Sequence, residues 1–422
     1  MKIRDYLSHL LIYVRALSKW LMVSAIVGLV CGLLGSAFHI GVEEATLFRE
    51  THRWVIYTLP LAGLLAAAIY KLLRAEGLST NDILSEIQNG KGISPTLLPA
   101  IFLTTVLTHL AGGSAGREGA ALQMGGSIGY YAGKLLRLDD RDLRTATMTG
   151  MAAFFSALFG TPLAAAVFSM GVVSVGLVYH AAFMPCFIAA LTAYGISLLL
   201  GVGPTRFTVT APAVSVSMLL RVAVLAAFCG LLSVIFCEVL HLTEKQLHKL
   251  LPNRWIRAFL GGAVLLGLTL LVGSGDYNGA GMGVITAAVE EGKAVPSAFL
   301  WKIVFTAITL AVGFKGGEVV PSFFVGAAFG CIAGLVLGIP AGFAAAVGLT
   351  AVFCGAVNCP IASIFLAIEL FGADGMLYFA LACGLSFILS GYSGLYSSQR
   401  ILYDKLKARF IDVRTNAYHE EN

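Results

Sequence analysis

Long apolar stretches, separated by short glycine-rich and charged segments, run along almost the whole chain. Five of them approach or reach the roughly 20 residues that a helix needs to cross a bilayer: Leu21–Ile40, Trp54–Leu73, Val222–Leu240, Ala258–Val272 with its flanks and Met376–Ser390 with its flanks. None shows the alternation of apolar and polar residues that is typical of a transmembrane β-barrel. The pattern therefore predicts an all-α polytopic membrane protein.

Composition supports this interpretation and explains the positive charge. The chain is 58% hydrophobic and 12% charged, whereas soluble domains carry about a quarter charged residues. The first 20 residues have no long apolar run and no small-residue cleavage site, so they predict an amphipathic cytoplasmic leader. Basic residues cluster at both ends: Lys2, Arg4, Arg15, Lys19, Arg400, Lys405, Lys407, Arg409 and Arg414. The positive-inside rule then predicts that both termini are cytoplasmic, and the net charge of +5 reflects topology, not nucleic-acid binding.

Several short sequences recur in the second half of the chain. "CGLLGSAF" at Cys31 returns as "CGLLSVIF" at Cys229, and "FGTPLAAAVF" is matched by the segment around Pro360. Glu118 and Glu318 also occupy matching places. Such self-similarity predicts two homologous halves. The expected division is a leader over residues 1–20, a first repeat over 21–205, a second over 206–398 and a cytoplasmic tail over 399–422.

The repeats predict where a site lies. Two halves of one membrane chain are often inverted, and the substrate site then lies at the bilayer midplane where they meet. Leu97–Ala111, Ala120–Leu136 and Val319–Gly338 are short or interrupted by glycine, which is typical of broken, re-entrant helices. A helix that begins within the membrane offers free N–H groups and a partial positive charge to an anion.

Two glycine-flanked carboxylates are the strongest candidates for chemistry. Glu118 lies in "GSAGREGA" and Glu318 in "GFKGGEVVP". An acidic residue at the bilayer centre costs roughly 2.5–3.5 kcal/mol, and such residues usually face a transport pathway and titrate. The alternative for Glu118 is an exposed pair with Arg117 at a helix cap. The alternative for Glu318 is a fixed ion pair with Lys315. The matching positions of the two glutamates favour function.

Other features predict structural roles. "GGSAG" at Gly112–Gly116 satisfies the G-x-S-x-G pattern of hydrolases, but no strand-rich segment surrounds it, so close helix packing explains it better. Glu369, deep in an apolar run, is expected to be a structural buried carboxylate. The eight cysteines lie in apolar surroundings without a C-x-x-C pair, and we expect them to act as small hydrophobes. We expect no metal, no cofactor and no enzymatic activity.

The motifs resemble those of the CLC family of anion channels and anion/proton antiporters. "GSAGREGA" followed by "MGGSIG" resembles its GREGP signature, and "GFKGGEVVPSFFVGAAFG" is similar to its G-x-F-x-P signature. "FGTPLAAAVF" resembles its N-A-P-L-A-G segment, and the tyrosine of "SGLY" stands where the family has its pore tyrosine. The resemblance covers nearly the whole chain. It implies a homodimer of inverted-repeat subunits, each with its own pore.

Three departures resemble the fluoride/proton antiporter branch of that family. The family's internal proton-transfer glutamate would correspond to Gly171 or Val172, so it is missing from this chain. In the G-x-F-x-P signature, Glu318 stands in place of an apolar residue. The first anion-binding signature is replaced by "GLSTND", where Ser79 or Thr80 stands for the family's central serine. The branch implies fluoride as substrate. Ser79, however, retains the serine of the family's anion-binding signature, so chloride stays open as an alternative substrate.

The resemblance also implies residue roles. Glu118 is expected to be the external gate and proton carrier, and Glu318 the second group that handles protons or fluoride. The expected anion-binding residues are Ser79, Thr80, Gly116, Arg117, Gly119, Ala120, Val319, Val320 and Tyr396, although Tyr396 by itself is also typical of a membrane-interface tyrosine. The expected partners are fluoride and protons, and the expected location is a bacterial inner membrane. A chloride/proton antiporter, a passive anion channel and a cation/proton antiporter remain as alternatives.

Overall fold

The structure, a computed structural model, describes residues 3–416, with side chains from residue 10 onward. Residues 417–422 of the expected cytoplasmic tail, and residues 1 and 2 of the leader, lie outside this range. Helices dominate the described residues: α1 (Ile3–Thr51), α2 (Leu59–Leu72), α3 (Thr80–Asn89), α4 (Leu97–Ala111), α5 (Glu118–Leu135), α6 (Asp140–Phe159), α7 (Pro162–Gly171), α8 (Phe183–Leu199), α9 (Val216–Leu250), α10 (Arg254–Val272), α11 (Met282–Thr286), α12 (Ala298–Ala311), α13 (Val319–Leu337), α14 (Ala341–Val357), α15 (Pro360–Phe371) and α16 (Met376–Leu389).

The second half repeats the first, helix for helix. Helices α4, α5, α6 and α7 correspond in order and length to α12, α13, α14 and α15. The packing corresponds too: α5 packs on α6 as α13 packs on α14, and α1 packs on α8 as α9 packs on α16. The predicted all-α fold with two homologous halves and short, broken helices is confirmed.

Only some of these helices are long enough to cross a bilayer. Within the described range, six meet the length and hydropathy of a membrane span, and among them are α1, α8, α9, α10 and α13. Six further apolar helices have 10–17 residues, among them Leu97–Ala111 and Pro162–Gly171. Helices of that length end inside the fold, where their terminal N–H and C=O groups are available to a buried site.

Helix α1 is longer than the sequence suggested. It runs without a break from Ile3 to Thr51 and crosses residue 20, where the boundary between leader and first repeat was expected. The reason is local: this segment contains no proline, and its glycines face a neighbouring helix. A Cβ on Gly28 would lie 2.7 Å from the Ala189 carbonyl, and one on Gly32 would lie 2.7 Å from Ile196 Cβ. Small residues thus allow α1 to pack closely on α8.

Within the segment expected to form the C-terminal tail, residues 399–416 pack against the helices. Strand β2 (Arg400–Tyr403) pairs in antiparallel fashion with β3 (Phe410–Arg414) and in parallel fashion with β1 (Ser174–Val175), which follows α7. A chain that leaves the last helix therefore returns to the end of a helix in the first repeat.

The residues expected to be structural have structural surroundings. The Glu369 carboxylate, on α15, accepts hydrogen bonds from the N–H groups of Leu163 at 3.1 Å and Ala164 at 2.9 Å, and so caps the start of α7. The eight cysteines are buried and free. Ser114, in the G-x-S-x-G pattern, bonds the Thr306 hydroxyl at 3.0 Å, which joins the two repeats.

Candidate functional site

Two helix N-termini from opposite repeats meet inside the protein. Helix α5 begins at Glu118, and Glu318 is the residue that precedes α13. Just before each helix, Gly116 and Gly317 form an antiparallel pair, with N–H to carbonyl distances of 2.7 and 2.8 Å. The two carboxylates that the sequence placed at matching positions are therefore brought to one junction.

Glycine is required where the two chains cross. A Cβ on Gly119 would lie 2.9 Å from the Gly317 Cα, closer than real Cβ atoms approach a neighbour. A Cβ on Gly317 would in turn overlap the Gly119 backbone nitrogen. The glycines that flank each glutamate thus serve close approach of the two backbones, and any side chain there would separate the helix starts.

Glu118 is fully buried and only half satisfied. Its Oε2 accepts a hydrogen bond from the Arg117 N–H at 2.9 Å, and the N–H groups of Glu118 itself and of Val320 also lie close. Its Oε1 lies 3.7 Å from the Arg117 Nε and has no hydrogen-bonding partner in the described part of the chain. The exposed pair considered as an alternative is excluded, because the carboxylate is 0% exposed. The group is held by contacts that favour its charged form and that protonation weakens.

Glu318 reaches towards the opposite helix. Its Oε2 lies 3.2 Å from the position that a Cβ on Gly119 would take. That oxygen is buried and makes no hydrogen bond to any residue that the structure describes. Lys315, the partner considered in the structural alternative, forms no ion pair with Glu318 in the described range, and its Nζ instead lies 4.6 Å from the Tyr70 ring centroid. Each glutamate therefore faces the start of the other repeat's helix.

The first turns of α5 and α13 carry N–H groups without intrahelical partners. In α5 the first backbone bond within the helix is from Ala121 to the Arg117 carbonyl, so the N–H groups of Gly119 and Ala120 remain. In α13 the corresponding groups belong to Val319 and Val320, and Pro321 has none. These four residues were expected to bind the anion. Gly116 differs from that expectation, because its N–H is engaged by Gly317.

Tyr396 lies at the same junction. It is 2% exposed, its hydroxyl has no hydrogen-bonding partner among the described residues, and Glu318 and Glu118 are among the acidic groups near it. A tyrosine at the membrane interface would be exposed, so that alternative is wrong. The loop that carries Tyr396 is fixed by Gln399, whose Nε2 donates to the carbonyls of Val172 at 3.0 Å and Val357 at 2.9 Å.

Thr80 and Ser79 have different surroundings. Ser79 caps α3, since its hydroxyl accepts the Asn81 N–H and the Asp82 carboxylate accepts its own N–H. The Thr80 hydroxyl contacts the Gly119 carbonyl at 3.5 Å. It thus lies beside the start of α5, while Ser79 is occupied in holding α3.

Gln123 is a further polar residue beside the site, and no sequence motif marked it. This residue lies on α5 beyond Glu118, is buried, and donates from Nε2 to the Thr80 hydroxyl at 3.1 Å. Its Oε1 has no partner in the described part of the chain. The sequence does contain a signal for this residue, which is an amide within a largely apolar segment. Buried polar groups normally have a hydrogen-bonding partner, so such an amide predicts a polar neighbour.

A layer of buried cations supports the loop before Glu118. Lys302 is 0% exposed and donates to the carbonyl of Gly279 at 2.7 Å, while the Gly279 N–H donates to the Gly113 carbonyl at 2.9 Å. Arg49 donates to the His109 carbonyl at 3.0 Å at the end of α4. These bonds satisfy carbonyls that a terminated helix leaves open, and they position the segment that leads to the site.

Sequence comparison finds relatives along most of the chain. Residues 62–391 match the family described as voltage gated chloride channel. A chloride/fluoride channel protein of Pseudomonas syringae pv. tomato is 36% identical over 399 residues, which cover 92% of this chain and 88% of the relative. The H(+)/Cl(−) exchange transporter ClcA of Yersinia pestis is 26% identical over 390 residues, with coverage of 83% and 80%.

Solved structures have the same architecture. A CLC-type fluoride/proton antiporter superposes with a TM-score of 0.87 at 30% identity and covers 91% of this chain and 98% of its own. A slow cyanobacterial Cl−/H+ antiporter shares the fold, with a TM-score of 0.76 at 20% identity, and covers 88% and 94%. The family match spans most of the chain, and the signature residues meet at one junction. The chain is a multi-pass membrane protein that belongs to the CLC family of anion transporters and channels.

Proposed function

We propose that this protein exports fluoride in exchange for protons across a bacterial inner membrane, as a homodimer with one pathway in each subunit. The observation that carries the proposal is the pair of carboxyl groups at the junction of two helix N-termini: Glu118, which is fully buried, and Glu318, whose Oε2 is buried. Further support comes from the relatives: one is named a chloride/fluoride channel protein, and one solved structure is of a fluoride/proton antiporter.

Glu118 acts as the external gate and proton carrier. When ionised, its carboxylate stays at the junction, where it accepts the Arg117 N–H and lies near that of Val320. These are contacts that an anion would also make. Protonation removes the negative charge and frees the position for an anion. The same protonation event therefore couples proton binding to anion access.

Glu318 acts as the second group for protons or fluoride. Fluoride is small and strongly hydrated, so removing its water requires strong hydrogen-bond donors. A protonated carboxyl is such a donor, and hydrogen bonds to an ionised acceptor are short and strong. The unpartnered Oε2 of Glu318, beside Gly119, is in place for this role. Because both carboxyls serve one small region, their titrations are coupled.

The inner side of the pathway is formed by Tyr396 and Thr80. The Tyr396 hydroxyl is unpartnered among the described residues and lies within electrostatic range of both glutamates. Thr80 is favoured over Ser79, because Thr80 contacts the Gly119 carbonyl and Ser79 is occupied in capping α3. The Thr80 hydroxyl, which contacts the Gly119 carbonyl, can instead donate its hydrogen bond to a passing anion.

The test is purified protein in liposomes with fluoride and pH electrodes. An imposed fluoride gradient should move protons in the opposite direction, and the movement should persist when the membrane potential is clamped with valinomycin and potassium. A passive channel would carry fluoride without protons, and that result would overturn the proposal. A cation/proton antiporter would move protons on a cation gradient and carry no fluoride.

A further inference from the structure

A groove of about 390 Å³ lies on the outer surface between α9, α10 and α12, and neither Glu118 nor Glu318 lines it. Its lining is almost wholly apolar: Leu242, Thr243, Gln246, Leu247, Leu251, Leu260, Gly261, Val264, Ile308 and Val312. Leu242, Leu260 and Val264 are each about half exposed, so the groove opens towards the surroundings of the fold. In a membrane protein those surroundings are lipid chains.

The depth of the groove depends on a glycine. A Cβ on Gly261 would overlap the Val312 side chain. Glycine at this position therefore lets the backbone of α10 pack directly on that valine, at the end of α12. The neighbouring Leu260 and Val264 then form the walls. The result is a slot between the two helices whose lining residues are all apolar except Thr243 and Gln246.

One end of the groove carries a buried guanidinium. Arg257, one turn before Gly261 on α10, is 8% exposed and donates from Nη1 to the carbonyl of the lining residue Leu251 at 2.8 Å. Its Nε has no hydrogen-bonding partner among the residues that the structure describes. A buried, unsatisfied N–H of a cation is costly, and such groups normally have a partner.

The same end is basic. The end of α9 and the start of α10 carry Lys245, His248, Lys249, Arg254 and Arg257. The acids close by are Glu76, which pairs with Arg254, and the exposed Glu244. By the positive-inside rule this turn lies at the cytoplasmic leaflet, whose lipids include anionic ones.

We propose that the groove binds an anionic phospholipid of the cytoplasmic leaflet. Its phosphate accepts from Arg257, with Lys249 at the rim, and one acyl chain occupies the slot beside Gly261. Ile308 and Val312 of α12 lie in the slot, and α12 leads into the segment that carries Glu318. The lipid therefore stabilises the packing of α10 on α12 next to the transport site, whichever anion is carried.

The experiment is lipid binding by the full-length protein, measured by native mass spectrometry and by melting temperature in detergent. The probes are phosphatidylglycerol and phosphatidylcholine with identical chains, and glycerol phosphate as a soluble headgroup. Phosphatidylglycerol should be retained and should raise the melting temperature, and the other two should not. Arg257→Gln should weaken retention about fivefold, since one basic contact near the surface contributes about that factor.

A second variant tests the slot without touching the charge. Val264→Trp should fill the groove and reduce retention, while Leu270→Trp, equally exposed on α10 but outside the lining, should not. Equal binding of both lipids, or unchanged retention in both Arg257→Gln and Val264→Trp, would overturn the proposal. Binding of glycerol phosphate as tight as that of the lipid would show a free-anion site in its place.

Discussion

At the residue scale, Glu118 and Glu318 each have one buried carboxyl oxygen that forms no hydrogen bond among the described residues. Glu118 leaves Oε1 unpaired, and Glu318 leaves Oε2 unpaired, among the described residues. Glu369, which is half-buried, differs from them, because both of its carboxyl oxygens accept backbone N–H groups. The contrast distinguishes a carboxylate that caps a helix from two carboxyl groups that each keep one oxygen unpaired, as the proposed transport role requires.

Glu118→Gln is expected to abolish proton movement. The amide has the shape of the carboxyl, but it neither takes up a proton nor carries the charge that an anion replaces. Fluoride-driven proton flux in liposomes should fall to the background of empty vesicles. Glu44→Gln, at an exposed position on α1, is the control and should keep full coupling. Proton pumping by the Glu118 variant would disprove its role as gate.

Glu318→Ala is expected to impair fluoride transport while the protein stays folded. No ion pair fixes Glu318 in the described range, so its removal strands no cation. Flux per folded protein should fall, and the melting temperature should change little. A large drop in melting temperature with unchanged flux per folded protein would show a structural role.

Glu369→Ala is the matched structural variant, and it should behave in the opposite way. It removes the cap from the N–H groups of Leu163 and Ala164, which costs about 0.5–2 kcal/mol. The melting temperature should fall, while the ratio of protons to fluoride moved by the remaining folded protein should be that of the native chain. A changed ratio would place Glu369 in the proton pathway.

At the scale of secondary-structure elements, the site depends on how closely α5 and α13 begin to one another. Gly119→Ala should push the two helix starts apart, because its Cβ would lie 2.9 Å from the Gly317 Cα. Overpacking of this kind typically costs about 1–3 kcal/mol. Gly267→Ala on α10, where a Cβ meets nothing within 4 Å, is the control. The melting temperature and fluoride flux should fall only in the first variant.

The returning C-terminal segment sets the place of Tyr396. Gln399 donates to the carbonyls at the ends of α7 and α14, and its carbonyl accepts from the Thr415 N–H at 2.9 Å. Gln399→Leu leaves those buried carbonyls unsatisfied, at about 1–3 kcal/mol each. We expect a lower melting temperature, together with a higher apparent KM for fluoride in the protein that remains folded. An unchanged KM would separate Gln399 from the positioning of Tyr396.

At the scale of the whole molecule, two repeats each contribute one acid and one helix start to a common site. An arrangement with carboxyl donors suits a small anion that accepts strong hydrogen bonds. Chloride should therefore move far more slowly than fluoride through the same preparation, measured with ion-selective electrodes at equal gradients. Equal fluxes of the two halides would leave a general anion exchanger of the same fold.

The sequence by itself determined the class of the protein and the two glutamates that occupy matching positions in its repeats. Continuous apolar runs specify membrane helices, because a bilayer requires about 20 such residues. The repeat places Glu118 and Glu318 at matching points, and glycines beside them predict close backbone contact. These properties are local or periodic along the chain, so they can be read without knowing how the helices pack.

The tertiary structure alone decided which groups meet. The choice between Ser79 and Thr80 depends on contact with Gly119. The position of Gln123 beside the site is shown only by its hydrogen bond to the Thr80 hydroxyl. The alternative in which Glu318 pairs with Lys315 also depended on the tertiary structure, which places the Lys315 Nζ over the Tyr70 ring. Hydrogen bonds between residues far apart in sequence depend on the relative placement of whole helices, and no pattern along one segment encodes that placement.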